Sequence, residues 1–192
     1  MPKLILASSS PYRRALLERL ELPFMCAAPD IDETPLANET PEQLTRRLAR
    51  DKAFALARQY PEHLIIGSDQ VLLLDNLPVS KPGTHALAVA QLQRCSGQTV
   101  RFTTSLCLLN SATGQHQLAS EPFDVSFRQL SRDSIERYLH KEQPYDCAGS
   151  FKMEGLGVTL FSALRGDDPN SLIGLPLIRL CEMLRNEGID LP

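Results

Sequence analysis

Residues 63–74 read HLIIGSDQVLLL, two apolar runs on either side of a short polar insert. Runs of this kind predict a buried strand. The insert carries Asp69, and a carboxylate is costly to bury without a partner. We therefore expect the strand to end at the insert and to present Asp69 to a metal ion or a cation, with an ion pair to a structural Lys or Arg as the alternative.

Strand and helix signals alternate on both sides of this stretch. The apolar run 4–7 leads through Ser8-Ser9-Ser10 to Pro11 and a helical spacing of leucines. A second strand is expected at 24–28, and the acidic loop 29–39 precedes a capping box at Thr40 and a helix to residue 57. Further helices are predicted at 84–94, 131–141 and 175–185, and further strands at 98–109 and 123–127. This alternation predicts an α/β protein.

Length, net charge and composition argue against some classes of function. The chain has 192 residues, 43% of them hydrophobic, and we treat residues 1–192 as one domain without an independent linker. A net charge of -3 argues against a nucleic acid partner, although a few basic residues in one place could hold a small anion. No segment has the run of about 20 apolar residues that a spanning helix needs, so we expect a cytoplasmic protein without a membrane partner. The five cysteines include no C-x-x-C pair and are predicted to be reduced thiols.

Hydroxyl and basic side chains meet at the first strand-to-helix junction. Ser8 lies in the junction, and Arg13 and Arg14 follow in the first helical turns. A helix start favours anions, and an Arg fork can clamp phosphate oxygens. A helix cap followed by two solvated arginines is the alternative.

Carboxylates and lysines form a second candidate group. Glu33 in the acidic loop and Asp69 would together suffice for a Mg²⁺ ion that also binds substrate phosphates. Lys52 and Lys81 could neutralise a triphosphate and its pyrophosphate leaving group. Taken singly, Asp32-Glu33 could be an exposed turn and each lysine a surface charge.

Six segments occur in the order and spacing of the Maf family of nucleotide pyrophosphatases, which this chain resembles over essentially its whole length. They are Ala7 to Arg14, Asp32-Glu33-Thr34, Gly67-Ser68-Asp69-Gln70, Lys81-Pro82, Leu92 to Gly97 and Gly174-Leu175-Pro176. The resemblance implies a Maf-like (ITPase-like) mixed sheet with flanking helices, two lobes around a central cleft and, often, a homodimer. It also implies hydrolysis between the α and β phosphates of a nucleoside triphosphate.

The resemblance also implies roles for single residues. Asp69 matches the proton acceptor that activates water, and Glu33 matches a carboxylate near a divalent cation, Mg²⁺ or Mn²⁺. The phosphate-binding positions correspond to Ser8, Arg13, Lys52 and Lys81.

Three positions divide the family by base preference, and here they are Tyr12, Gln70 and Lys152. They resemble the 7-methyl-GTP pyrophosphatase subgroup, in which Trp is expected at the Tyr12 position. A cationic methylated guanine stacks best on Trp and acceptably on Tyr. A dTTP/UTP pyrophosphatase, which usually has Arg, Thr and Gln at these positions, and a non-catalytic nucleotide-binding regulator of cell division are the alternatives.

Overall fold

The computed structural model describes residues 3–75 and 77–192. Its strands are β1 (Lys3–Ala7), β2 (Phe24–Ala27), β3 (His63–Leu74), β4 (Leu77–Val79), β5 (Thr99–Asn110), β6 (His116–Phe127) and β7 (Phe161–Arg165). Its α-helices are α1 (Pro11–Glu18), α2 (Pro41–Ala55), α3 (His85–Cys95), α4 (Arg132–Glu142) and α5 (Leu177–Asn186). Short 3₁₀ helices lie at Ala148–Ser150, Leu156–Leu160 and Pro169–Ile173. The predicted α/β class is confirmed.

The strands form a mixed sheet. Hydrogen bonding gives the order β2-β1-β3-β5-β6-β7, with β4 paired to β3. β1 is parallel to both β2 and β3, whereas the pairs β3–β4 and β6–β7 are antiparallel. Parallel neighbours require a crossover connection, and α1 and α2 supply the two crossovers of the parallel part.

The chain divides into two compact units, of which the first comprises Met1–Gln70, Thr103–Glu121 and Asp168–Pro192. Alternate residues of β1 enter different cores within this unit. Leu4 and Leu6 pack with apolar residues of α1 and α5, while Ile5 packs with Ala49 and Ala53 of α2. Because both faces of the strand are covered, its sequence is a continuous apolar run.

The second unit comprises Val71–Phe102 and Pro122–Asp167 and contains α3 and α4. Four phenylalanines pack edge to face within it. The ring centroid of Phe151 lies 5.5 Å from that of Phe102, 5.8 Å from Phe127 and 4.9 Å from Phe161. This cluster anchors the glycine-bearing loop in which Phe151 lies.

Two strand predictions are wrong. β3 does not end at the polar insert but continues to Leu74, so Asp69 lies in the middle of a 12-residue strand. The strand continues because the side chains of Ser68, Asp69 and Gln70 each have a hydrogen-bond partner. β6 begins at His116 rather than at 123, and contains Pro122. The short β4, which contains Pro78, was not predicted.

The five cysteines all lie in the described part of the chain, and no two of them form a disulfide. Among the described residues, every helix is too short or too polar to span a bilayer.

Candidate active site

The junction between β1 and α1 is ordered by its own serines. Ser10 caps α1, and its side chain accepts a hydrogen bond from the backbone N–H of Arg13 at 3.3 Å. The hydroxyl of the buried Ser8 accepts one from the backbone N–H of Ser10 at 3.1 Å. The strand therefore turns directly into a helix whose first turns carry Tyr12 and Arg13, as the serine run predicted.

Arg13 is held by a backbone carbonyl distant in sequence. Its Nε donates to the carbonyl oxygen of Gly174 at 2.8 Å, and the Ser68 hydroxyl donates to the same oxygen at 2.8 Å. Gly174 has a φ of 106°, and a Cβ there would lie 3.1 Å from Arg13 Nε. Glycine is thus favoured at this position both by backbone conformation and by the close approach of the guanidinium.

The central contact of the site joins two carboxylates to one ammonium. Lys52 Nζ lies 2.7 Å from Asp69 Oδ1 and 3.0 Å from Glu33 Oε1. The side chains of Lys52 and Asp69 are 8% and 13% exposed, whereas that of Glu33 is 58% exposed. The ion pair offered as an alternative role for Asp69 is therefore present, and its partner is Lys52, which the sequence had placed in the same candidate site.

The close packing of α2 on β3 brings Lys52 to Asp69. A Cβ on Gly67 would lie 2.1 Å from the carbonyl oxygen of Ala49 and 2.9 Å from the backbone nitrogen of Ala53. Only a residue without a side chain allows this approach. Lys52 lies on α2 beside this contact, and Asp69 lies two residues after Gly67 on β3. The ammonium group of Lys52 and the carboxylate of Asp69 are therefore brought together.

Burial has the largest effect on the pKa of Asp69 and on that of Arg13. Burial raises the pKa of the Asp69 carboxyl above its ordinary value of 3.8, although the charge and hydrogen bond of Lys52 and the charge of Arg13 oppose the shift. Burial likewise lowers the pKa of Arg13, and the negative charges of Asp69 and Glu33 oppose that change. Asp69 is therefore a stronger base than a solvated aspartate.

The acidic loop is fastened by Arg47, which sequence reasoning missed. Its guanidinium donates to both carboxylate oxygens of Glu39, at 2.7 Å and 2.8 Å, and to the carbonyl oxygen of Thr34 at 3.0 Å. The two acceptors flank the exposed part of the loop, and Thr34 directly follows Glu33. Arg47 thus ties the segment that carries Glu33 to α2, the helix that carries Lys52. Its spacing from Glu39 matches no helical pattern, so no signal in the sequence indicated this contact.

Gln70 has a defined amide orientation. Its Nε2 lies 2.6 Å from the carbonyl oxygen of Ser171 and 2.8 Å from Thr104 Oγ1. Because a carbonyl oxygen can only accept, the amide nitrogen must face it, and the Thr104 hydroxyl itself donates to the same carbonyl at 2.8 Å. Both N–H groups of Gln70 are used, so Oε1 is the atom that can accept a hydrogen bond from a ligand.

The remaining predicted residues lie in different places. Tyr12 is half-buried in α1 of the first unit. Lys81 and Lys152 belong to the second unit, where Lys81 is exposed. Lys152 Nζ donates to the carbonyl oxygen of Glu142 at the end of α4, at 3.3 Å. The structure thus gives Lys152 a contact typical of a lysine that caps a helix C-terminus.

Oxygen ligands for a hard divalent cation are present in the first unit. Glu33 and Asp69 both reach one ammonium group, so their carboxylates converge. Mg²⁺ in proteins is usually held by one or two carboxylates with water and substrate phosphates completing its shell. The pair fits such an ion, and Lys52 supplies a positive charge that both carboxylates contact.

A family comparison gives a wider context for this geometry. The profile of the Maf family, described as Maf-like protein, matches residues 3–187. This chain belongs to the Maf family. The matched span includes every residue of the site described above, from Ser8 to Gly174.

Curated Maf relatives align along the full length of the chain. A protein of Pseudomonas savastanoi pv. phaseolicola named 7-methyl-GTP pyrophosphatase is 60% identical over 192 residues, covering 100% of both chains. One of the same name from Chromohalobacter salexigens is 59% identical over 190 residues, covering 99% of this chain and 98% of its own.

A solved structure supports the fold of this Maf protein. The Ham1 protein of Staphylococcus aureus superposes with a TM-score of 0.55, covering 96% of this chain and 99% of its own, at 13% identity. At that identity the likeness concerns the fold alone. It agrees with the mixed sheet and flanking helices predicted from the sequence.

Proposed function

We propose that this protein hydrolyses 7-methyl-GTP to 7-methyl-GMP and pyrophosphate. The observation that carries the proposal is the buried Asp69, held by Lys52 beside Arg13 and Glu33. The two full-length relatives support the substrate, since both are named 7-methyl-GTP pyrophosphatase at about 60% identity. Their names favour this substrate over dTTP or UTP, and favour an enzyme over a non-catalytic regulator.

The proposed reaction is attack of water on the α-phosphorus. Asp69 accepts a proton from the water as the new P–O bond forms, and the bond between that phosphorus and the bridging oxygen of the β-phosphate breaks. The electron pair leaves with pyrophosphate. Lys52 holds Asp69 through Oδ1, and we assign the proton to the other carboxylate oxygen. A base whose pKa is raised towards neutrality is better matched to this task than an ordinary aspartate.

Positive charge for the phosphates would come from Arg13 and Lys52 in the first unit, and the hydroxyl of Ser8 would be a further donor to them. Such groups stabilise the charge that accumulates on the phosphate oxygens in the transition state. Glu33 and Asp69 would hold Mg²⁺ or Mn²⁺, which when bound neutralises phosphate charge and makes water more acidic. The phosphate role of Lys81 and the specificity role of Lys152 rest on the family resemblance alone.

The guanine ring of the substrate would be recognised by Gln70 and Tyr12. Gln70 Oε1 can accept a hydrogen bond, which suits the N–H donors of a guanine edge. Tyr12 supplies an aromatic face for the positive charge of a 7-methylated guanine. A cytoplasmic location and a homodimer complete the proposal; both come from the sequence-based expectations.

The test is pyrophosphate release from 7-methyl-GTP, GTP, dTTP and UTP in the presence of Mg²⁺. We expect 7-methyl-GTP to have the highest kcat/KM, and Asp69→Asn to reduce kcat by about 10² to 10⁴-fold while nucleotide binding persists. A preference for dTTP or UTP would overturn the substrate assignment. Failure of the wild type to hydrolyse any of the four would overturn the enzymatic assignment.

A further inference from the structure

Three nitrogen and oxygen donors converge in the second unit, and none of them belongs to a residue assigned a role above. They come from His85, Glu136 and His140, and one potential ligand atom from each lies within 4.8 Å of the other two. His85 Nε2 is 2.7 Å from Glu136 Oε2, and His140 Nε2 is 3.9 Å from the same oxygen. Within residues 3–75 and 77–192 this is the one such group of three.

Two helices position the three side chains. Glu136 and His140 are four residues apart on α4 and therefore lie on the same helical face. His85 is the first residue of α3, which packs against α4 within the second unit. The site thus has two ligands on one rigid helix and a third on its neighbour. A pair of ligands at this helical spacing is a common support for metal ions.

Surrounding groups orient the donors. The Tyr145 hydroxyl lies 2.9 Å from His85 Nδ1, the ring nitrogen opposite the one that faces Glu136. Such a contact fixes ring orientation in metal-binding histidines. Tyr145 is itself fixed, because its carbonyl oxygen accepts a hydrogen bond from the backbone N–H of Gly83 at 2.9 Å. Arg132 lies 3.7 Å from Glu136 Oε1, so it approaches the other carboxylate oxygen.

We propose that His85, Glu136 and His140 bind a borderline transition metal ion, with Zn²⁺ as the best match. Two imidazoles and one carboxylate form a donor set that suits Zn²⁺ and related ions, whereas Mg²⁺ prefers oxygen alone. The fourth position is left to water. The set is chemically distinct from the carboxylate pair Glu33 and Asp69, so the two sites select different ions.

The donors need a small adjustment to close on a metal. Zinc ligands lie about 2.0 to 2.1 Å from the ion, so neighbouring donors lie a little over 3 Å apart. His140 is 74% exposed and its ring stacks on that of His85 at a centroid distance of 5.0 Å. Its side chain can therefore move towards the shared oxygen without disturbing the core. An ion pair between His85 and Glu136 alone would not require His140.

The experiment is a Zn²⁺ titration of metal-free full-length protein by calorimetry and thermal melting. We expect one Zn²⁺ per chain at this site and, with free Zn²⁺ at about 100 times the Kd, a rise in Tm of roughly 5 to 10 °C. The titration is repeated on Asp69→Asn, which should keep this site. His140→Ala and Glu136→Gln should each abolish the tight step, and Tyr145→Phe should weaken it about 10 to 100-fold.

A matched control removes an imidazole elsewhere. His116→Asn leaves the cluster intact and should bind Zn²⁺ like the wild type. X-ray absorption of the Zn²⁺ complex should show nitrogen and oxygen ligands without sulfur, which separates this site from binding at a cysteine. Unchanged Zn²⁺ affinity in His140→Ala and Glu136→Gln would overturn the proposal, as would a wild type that binds no Zn²⁺ outside the carboxylate pair.

Discussion

Asp69 shows how one residue can combine a structural contact with a chemical role. Its carboxylate sits in the middle of a buried strand, where ionisation is disfavoured, yet Lys52 and Arg13 favour the ionised form. Burial is the larger of these influences, so the pKa rises despite two nearby cations. A residue in this state keeps its position through Lys52 and still binds a proton more readily than a surface aspartate does.

The dependence of kcat/KM on pH tests whether burial outweighs the nearby cations at Asp69. If Asp69 is the general base, kcat/KM falls as pH drops through its pKa, because the protonated form cannot accept a proton from water. The acidic limb should therefore lie above 3.8, the ordinary value for Asp. Lys52→Met removes the cation that lowers this pKa, so the limb should move to still higher pH, in addition to a loss of overall rate. The measurement is kcat/KM for 7-methyl-GTP against pH.

The control for this profile is Arg14→Gln. Arg14 is exposed and pairs with Glu18 at 2.9 Å, so its removal should leave the acidic limb in place. A limb that moves to lower pH in Lys52→Met, or that moves equally in both variants, would contradict the assignment of Asp69 as the base.

At the scale of elements, the site depends on how closely α2 approaches β3. The approach is set by Gly67, whose missing side chain lets the backbone of the helix come within contact distance. The backbone of Gly67 is not in the left-handed region, so an alanine there would suffer from lack of space rather than from backbone strain.

Gly67→Ala should therefore harm both stability and activity. The added Cβ would meet the carbonyl oxygen of Ala49 at 2.1 Å, a backbone atom that cannot rotate away, so α2 must shift. Overpacking of this kind costs about 1 to 3 kcal/mol of unfolding free energy. The shift also displaces Lys52 from Asp69, and a misplacement of about 1 Å can lower kcat/KM by as much as 10²-fold. Urea unfolding and steady-state kinetics measure the two effects.

Gly188→Ala is the control that separates a loss of stability from a loss of activity. Gly188 follows α5 with a φ of 78° and has nothing within 4 Å of an added Cβ. Alanine there should cost about 1 to 2 kcal/mol through its left-handed backbone alone and leave kcat/KM unchanged. Wild-type kinetics in Gly67→Ala would show that the helix approach does not position the catalytic pair.

Local signals explain which elements the sequence predicts. The N-terminal cap of α2 can be predicted because its two residues are close in sequence. The Thr40 hydroxyl accepts a hydrogen bond from the backbone N–H of Gln43, and the Gln43 side chain accepts one from the backbone N–H of Thr40. The start of β6 was missed because Pro122 is atypical inside a strand, and only the neighbouring strands reveal that it is tolerated.

Tertiary contacts explain what the sequence could not predict at the site. The residue types of Asp69 and Glu33 predicted metal ligands and that of Lys52 a phosphate contact, and the structure brings these three side chains together. The Gly174 carbonyl that binds Arg13 and Ser68, and the fastening of the acidic loop by Arg47, link residues without any periodic relation. Such contacts depend on the packing of whole elements, which spacing along the chain does not contain.

At the scale of the whole molecule, the overall charge and the proposed ligand have the same sign. The net charge is -3, and a nucleoside triphosphate is also strongly negative. Affinity must therefore come from the local arrangement of cations rather than from the total charge. Arg13 and Lys52 supply that local charge, but Asp69 and Glu33 next to them oppose an anion unless a metal ion neutralises them.

This arrangement predicts that Asp69→Asn binds 7-methyl-GTP more tightly than the wild type when divalent ions are removed with a chelator. The change removes one negative charge beside Arg13 and Lys52, and at short range such a charge is worth a severalfold change in affinity. Asp190→Asn is the matched control, because it changes the net charge equally but at an exposed position after α5. It should leave the Kd nearly unchanged, since water and salt screen an exposed charge far more than a buried one. Equal tightening in both variants, measured by calorimetry, would mean that total charge and not the local cluster governs binding.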